Sequence, residues 1–248
     1  MRTAIQLYTL RDIDESILDI IARVGETEFD GVEFANRVGE ESPADVRQAL
    51  DDAGLVAPSA HVGIEALEND LAGSIETARV LGSDDIVIPW LDPKHFETVA
   101  AVEETATRLS DLASAVADEG LRLHYHNHEQ EFAETDEGIA FDLLAEQTGD
   151  DLFFQVDAGW AMVGGVDPAT LLRRYADRIT LVHCKDETIE GDAVPAFGEG
   201  DLDIDAVAEA THDIGAEWAI FENDKPEDPI RSLRDGATLL ARTIRNNR

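Results

Sequence analysis

The sequence predicts a single (β/α)8 TIM barrel spanning residues 1–248, on three observations. Short apolar runs rich in β-branched and aromatic residues alternate with helical patterns along the chain, giving eight strand candidates. The breaks between elements are brief, and several helical patterns stop at a glycine. A length of 248 residues also suits one eight-unit barrel. Alternating β and α elements require parallel strands with helical crossovers, and eight such units close on themselves. An open, doubly wound sheet is the competing architecture.

The expected strands end near Tyr8, Phe34, His61, Pro89, His126, Asp157, His183 and Glu222. Helical patterns run from Glu15 to Gly25, Pro43 to Gly54, Ala66 to Gly82, Val99 to Gly120, Pro168 to Asp177, Ile204 to Gly215 and Ile230 to Arg245. The periodicity is weakest just after His61 and from Glu137 to Gly149. The longest irregular stretch, Glu187 to Asp203, follows strand seven and is expected to cross the barrel mouth, where loops of this length often serve function.

Charge narrows the function classes. With 19 basic against 54 acidic residues, the net charge is −35, and the only lysines are Lys94, Lys185 and Lys225. Such self-repulsion is screened within roughly 3 Å at about 1 M salt, so a high-salt, halophilic cytoplasm is the simplest expectation. Nucleic acid is an unsuitable general partner for this surface. No membrane span is expected, since no apolar run approaches spanning length, and MRTAIQLYTLRD lacks the apolar core of a signal peptide. The lone Cys184 agrees with a reducing compartment.

Four of the strand candidates stop on a side chain able to ligate a metal: His126 in LRLHYHNHEQEF, Asp157 in LFFQVDAGW, His183 in ITLVHCKD and Glu222 in WAIFEND. In one barrel these ends converge on one mouth. Imidazole and carboxylate together suit one divalent ion such as Mn²⁺, Co²⁺, Fe²⁺ or Zn²⁺. Alternation puts His124, His126 and His128 on one side of strand five if the strand extends that far, with His126 closest to a central ion, His124 deeper and His128 nearer a substrate. A hydrogen-bonded histidine ladder is the alternative. Asp157 also suits a helix cap.

Tyr125 to His128 (YHNH), Asp157 to Trp160 (DAGW), His183 to Asp186 (HCKD) and Gly198 to Asp201 (GEGD) together resemble the sugar phosphate isomerase/epimerase family of xylose-isomerase-like TIM barrels. The resemblance extends from IQLYTLRD at Ile5 to FEND at Phe221. It implies metal ligation by His126, Asp157, His183 and Glu222, and a small carbohydrate substrate whose hydroxyls or carbonyl complete the coordination. One position departs from the pattern: ketose epimerases of this superfamily carry glutamate where this chain has His126. That removes one of the two carboxylates their mechanism uses.

What the resemblance then implies is metal-assisted enolisation of a sugar, sugar phosphate or related polyhydroxy carbonyl compound, leading to isomerisation or epimerisation through an enediolate. Glu222 is the expected base, His128 its partner acid or base, and Lys185 the cation near the enolate oxygen. His61 in PSAHVG is expected to line the pocket, and Trp90 and Trp160 to pack against the sugar. Glu33 is read as a hydroxyl ligand or a closure of the strand-two loop, and Gly198 and Gly200 as a cradle for a phosphate or hydroxyl group. The rivals are an inosose dehydratase-like lyase, an endonuclease IV-like nuclease, for which the ligand set is too small, and a non-catalytic sugar-binding barrel. A homo-oligomer stays open.

The acidic surface carries a direct consequence: thermal stability rises as KCl goes from about 0.1 M to molar levels, because screening relieves repulsion. Melting curves across that range check it, and a flat or falling melting temperature contradicts the halophilic reading.

Overall fold

The computed structural model describes residues 1–35, 37–189 and 194–246. Eight parallel strands make one sheet: β1 (Arg2–Gln6), β2 (Gly31–Glu33), β3 (Ala60–His61), β4 (Asp85–Ile88), β5 (Arg122–His126), β6 (Leu152–Asp157), β7 (Ile179–Lys185) and β8 (Trp218–Glu222). Their order is β2-β1-β8-β7-β6-β5-β4-β3. The two end strands meet through isolated parallel bridges, Gly31 to Val56 and Phe34 to Ala60, with the His61 N–H donating to the Phe34 carbonyl at 2.6 Å. The barrel is therefore nearly closed, and the open-sheet alternative is excluded.

Helices pack outside, and local chemistry sets their limits. Ser42 caps Pro43–Ala53, with Pro43 in the first turn and Gly54 at φ +69° ending it; Thr98 caps Val99–Asp118. Several elements differ from expectation for visible reasons. Tyr8 lies beyond β1, in a short 3-10 turn over Leu7–Leu10 where the Gln6 side chain accepts from the Tyr8 N–H. The helix expected from Ala66 to Gly82 divides into Ile64–Asn69 and Leu71–Leu81, because Asp70 ends the first and its carboxylate caps the second. Asp157 caps an additional short helix, Ala158–Val163. The weakly periodic segment after Glu137 holds a helix over Ala140–Gln147. Within the long loop after β7, residues 190–193 lie outside the described residues.

Strand alternation gives the barrel interior two unlike layers. Toward the N-terminal ends of the strands, Ala4, Val87, Leu181, Trp218 and Ile220 form a small apolar cluster separate from the main core. One step along, on the same inward faces, come Gln6, Glu33, Gln155 and His183, all buried and polar. The register aligns Gln6 with Glu33, His126 with Gln155, and Asp157 with His183, placing functional groups of neighbouring strands side by side. The larger core lies between barrel and helices, where Ile5, Val32, Val156, Val182 and Phe221 face outward.

Gly236, in the helix Pro229–Asn246, lets that helix close on β8: a Cβ there would lie 2.6 Å from the buried Phe221 ring. Gly236→Ala gains about 1 kcal/mol in helix propensity but forces an overlap costing about 1–3 kcal/mol. Urea unfolding is expected to give a net loss of stability, and a stabilised variant contradicts this packing.

Candidate metal centre and substrate cavity

Four strands deliver His126, Asp157, His183 and Glu222 to one place at the C-terminal mouth, where their ligand atoms lie within 4.8 Å of one another. All four are buried. His126 Nε2 is 3.8 Å from Asp157 Oδ2, and His183 Nδ1 is 3.0 Å from Glu222 Oε2. His61 joins His126 and His183 in a second, overlapping group of three.

Beneath this cluster, Glu33 determines which nitrogen of each imidazole carries a proton. Its carboxylate is fully buried and accepts from Gln155 Nε2 at 2.5 Å, Gln6 Nε2 at 2.7 Å, His183 Nε2 at 2.6 Å and the Ser59 hydroxyl. Because the Gln155 amide nitrogen is spent on Glu33, its Oε1 faces His126 Nδ1 at 2.8 Å and His61 Nε2 at 2.9 Å. An oxygen can only accept, so both nitrogens carry hydrogen. His126 Nε2 and His183 Nδ1 are then the nitrogens turned to the cluster.

The charges follow from burial set against these partners. Burial opposes the Glu33 anion, but His61 and His183 outweigh it and keep the carboxylate well below its usual range. Burial likewise opposes a charged His183, yet Glu33 and Glu222 raise it to about 10. His126 is pushed well below its normal value by burial and by His183, so it is a neutral imidazole. Burial lifts Asp157 to about 7, and its Oδ2 is a buried oxygen without a hydrogen-bond partner. An unpartnered carboxylate oxygen beside a free imidazole lone pair, with a proton held where a cation would sit, is a donor set that fits a divalent ion.

A cavity of about 380 Å³ opens over the cluster, within the usual range for small-molecule sites. His61, His126, His128, Lys185, Glu222 and Trp90 line it, joined by Tyr8 and Asp224, which sequence reasoning did not single out. β5 ends at His126, so His128 leaves the strand; it still reaches the cavity, and its backbone N–H donates to buried Glu131 at 2.7 Å. Burial and nearby Lys185 lower His128 to about 3, leaving it neutral. Lys185 is buried, pairs with Asp224, and sits 4.2 Å above the Trp160 ring. Burial opposes its charge, but Asp157, Glu222 and Asp224 raise its pKa above normal.

The other expected contacts sit differently. Trp160 packs against Lys185 and His128, outside the cavity lining. Glu33 lies below the cluster, engaged by the donors just described. The Gly198 and Gly200 N–H groups both donate to Asp186 Oδ2 at 2.8 Å, so the loop wraps a carboxylate of the chain itself.

The chain belongs to the xylose isomerase-like TIM barrel family, whose model matches residues 19–243. It is 41% identical over 108 residues to the rhizopine catabolism protein MocC of Rhizobium meliloti, covering 43% of this chain and 32% of that one. It is 33% identical over 173 residues to an inosose dehydratase of Geobacillus kaustophilus, covering 60% and 56%. The chain thus spans about a third to just over half the length of these relatives. Among solved structures, a sugar phosphate isomerase/epimerase from Parabacteroides distasonis superposes with a TM-score of 0.81 at 19% identity, covering 98% and 94%. The IOLI protein with a bound zinc atom gives 0.74 at 16%, covering 100% and 99%. At these identities the structural likeness is one of fold.

Gln155, invisible as a candidate from its own short context, is the testable part of this geometry. Gln155→Leu keeps the volume but frees His126 to exchange tautomers. Nitrogen-15 spectra of the imidazoles are expected to show His126 with hydrogen on Nδ1 in the wild type and a mixture in the variant. Zn²⁺ affinity is expected to fall roughly 10–100-fold, and an unchanged tautomer with unchanged affinity contradicts the scheme.

Proposed function

We propose that the chain is a metal-dependent isomerase or epimerase of a polyhydroxylated carbonyl compound, acting through an enediolate. The observation that carries this reading is the four-ligand cluster with an unpartnered Asp157 oxygen, set at the floor of a cavity that also presents Glu222, His128 and Lys185. His126, Asp157, His183 and Glu222 would hold the ion. A divalent ion there supplies polarisation of a ketone oxygen, which acidifies the neighbouring C–H.

The chain's own groups account for the proton. Glu222 is the cavity carboxylate next to the cluster; burial opposes its charge, but the His183 hydrogen bond and Lys185 hold it ionised at about 2. Neutral His128 can receive or return a proton on the same side of the cavity, and Lys185 places fixed positive charge beside the developing oxyanion.

Dehydration is the second reading, favoured by the sequence similarity to inosose dehydratases. The enediolate then expels a β-hydroxyl instead of being reprotonated. Glu222 with an adjacent imidazole, the second cavity carboxylate Asp224 being paired with Lys185, serves a single-face proton transfer or an elimination more directly than a two-carboxylate epimerisation.

The test combines metal and isotope. Asp157→Ala and His183→Ala are expected to lose bound metal and activity while the barrel remains folded. Zn²⁺ binding near pH 7 is expected to release a proton, so affinity climbs with pH, since the ion displaces the proton held on His183 up to about pH 10. In D₂O a true substrate gains deuterium beside its carbonyl, and Glu222→Gln with metal restored suppresses that exchange. Turnover with neither exchange nor a primary isotope effect there eliminates the enediolate; exchange accompanied by a new C=C bond selects the lyase.

A further inference from the structure

We propose that this cavity selects an uncharged polyhydroxylated ketone over its phosphorylated form, an inference that rests on reading the site as one of enolisation. Among the described residues, the charged side chains lining the cavity, apart from the histidines, are one cation, Lys185, and two carboxylates, Glu222, which the proposed function assigns to the ion, and Asp224. Lys185 is already committed: its Nζ pairs with Asp224, lies 3.7 Å from Glu187 and is stacked over Trp160. A phosphate brought beside it would meet those carboxylates as well as the ammonium, and like charges in a partly dry cavity repel strongly.

Among the described residues, the other candidate phosphate-binding groups are engaged elsewhere or lie off the cavity. Arg11 donates to the carbonyls of Asp224 at 2.5 Å and Tyr8 at 2.8 Å while its guanidinium stacks 3.9 Å from the Tyr8 ring. Arg37 is held by Glu40 and by the carbonyls of Ile13 and Glu15. The glycine N–H pair of the GEGD segment grips Asp186. Lys94 and Lys225 do not line the cavity. Asn36 and the segment Glu190 to Ala193, outside the described residues, contain two acidic side chains and no basic one.

What the cavity does offer suits a neutral sugar. Tyr8 and Trp90, two of the three large apolar side chains exposed among the described residues, both border it. Aromatic faces accept the C–H face of a polyol ring. The carboxylates of Glu222 and Asp224 accept hydrogen bonds that hydroxyl groups can donate and a phosphate dianion cannot.

The experiment uses metal-loaded protein and a panel of ketohexoses, ketopentoses and inososes, each paired with its monophosphate. Solvent deuterium exchange gives kcat/KM for both members of each pair. For the best pair, the uncharged member is expected to be favoured at least about tenfold. In Asp224→Asn, which removes one cavity carboxylate and frees Lys185, that ratio is expected to shrink; loss of activity common to both members cancels. Exchange that favours the phosphorylated member in wild-type protein overturns the selectivity while leaving the enolisation reading intact. An unchanged ratio in Asp224→Asn overturns the electrostatic cause. Absence of exchange with every pair overturns the enolisation reading, and this inference falls with it.

Discussion

The buried carboxylate of Glu33 is the constraint on which the mouth of the barrel depends. An unpaired anion in such a place would be prohibitively costly, and the chain answers with donors from several strands and their loops: Gln6, Ser59, Gln155 and His183. Each donor, once spent on Glu33, has only one remaining way to face the layer above. Gln6 turns its oxygen to the Tyr8 N–H, Gln155 turns its oxygen to two imidazoles, and His183 turns Nδ1 to Glu222. A single charge thus fixes side-chain orientation across several strands, which is what a ligand cluster needs if its geometry is to survive without the ion.

This polar layer is tolerated because what lies beneath it is not. Ala4, Val87, Leu181 and Ile220 plug the barrel with apolar volume, and the outer core between strands and helices is larger still. Folding is driven there, by burial that does not involve the mouth. At the opposite end Arg122 clamps Asp85 at 2.6 Å and Glu217 at 2.7 Å, tying β4, β5 and the segment before β8 together away from the chemistry. Stability and function are thereby separated along the barrel axis.

The fold was legible because it depends on periodicity, and the four ligand candidates were legible because each interrupts an apolar run at its end. Their supporting residues were not. Gln155 reads as an ordinary polar residue inside LFFQVD, and only the pairing of β5 with β6 brings it beside His126. Glu33 was read as a hydroxyl ligand or a closure of the strand-two loop; it ends β2 fully buried, and only the neighbouring strands bring Gln6, Gln155 and His183 onto its carboxylate. Asp186 could not be recognised as the occupant of the glycine cradle, since the contact closes across more than ten residues of loop. Asp70 was the exception: an aspartate in mid-pattern is a known cap, and it could have divided the helix from Ala66 to Gly82 in advance.

The imidazole of His126 gives the cluster an electrostatic character of its own. Two neutral imidazoles and two carboxylates would leave a bound divalent ion close to charge balance, whereas a glutamate at strand five would add a further negative charge. An ion less compensated by its ligands withdraws more electron density from a substrate oxygen and tolerates an enediolate better. The same balance recurs one layer higher, where Lys185 is matched by Asp224 and leaves little net charge at the cavity wall. In a chain carrying −35 overall, a mouth brought near neutrality by a bound ion would, on the proposed reading, keep the reacting end electrophilic and the rest of the cavity receptive to hydroxyl groups.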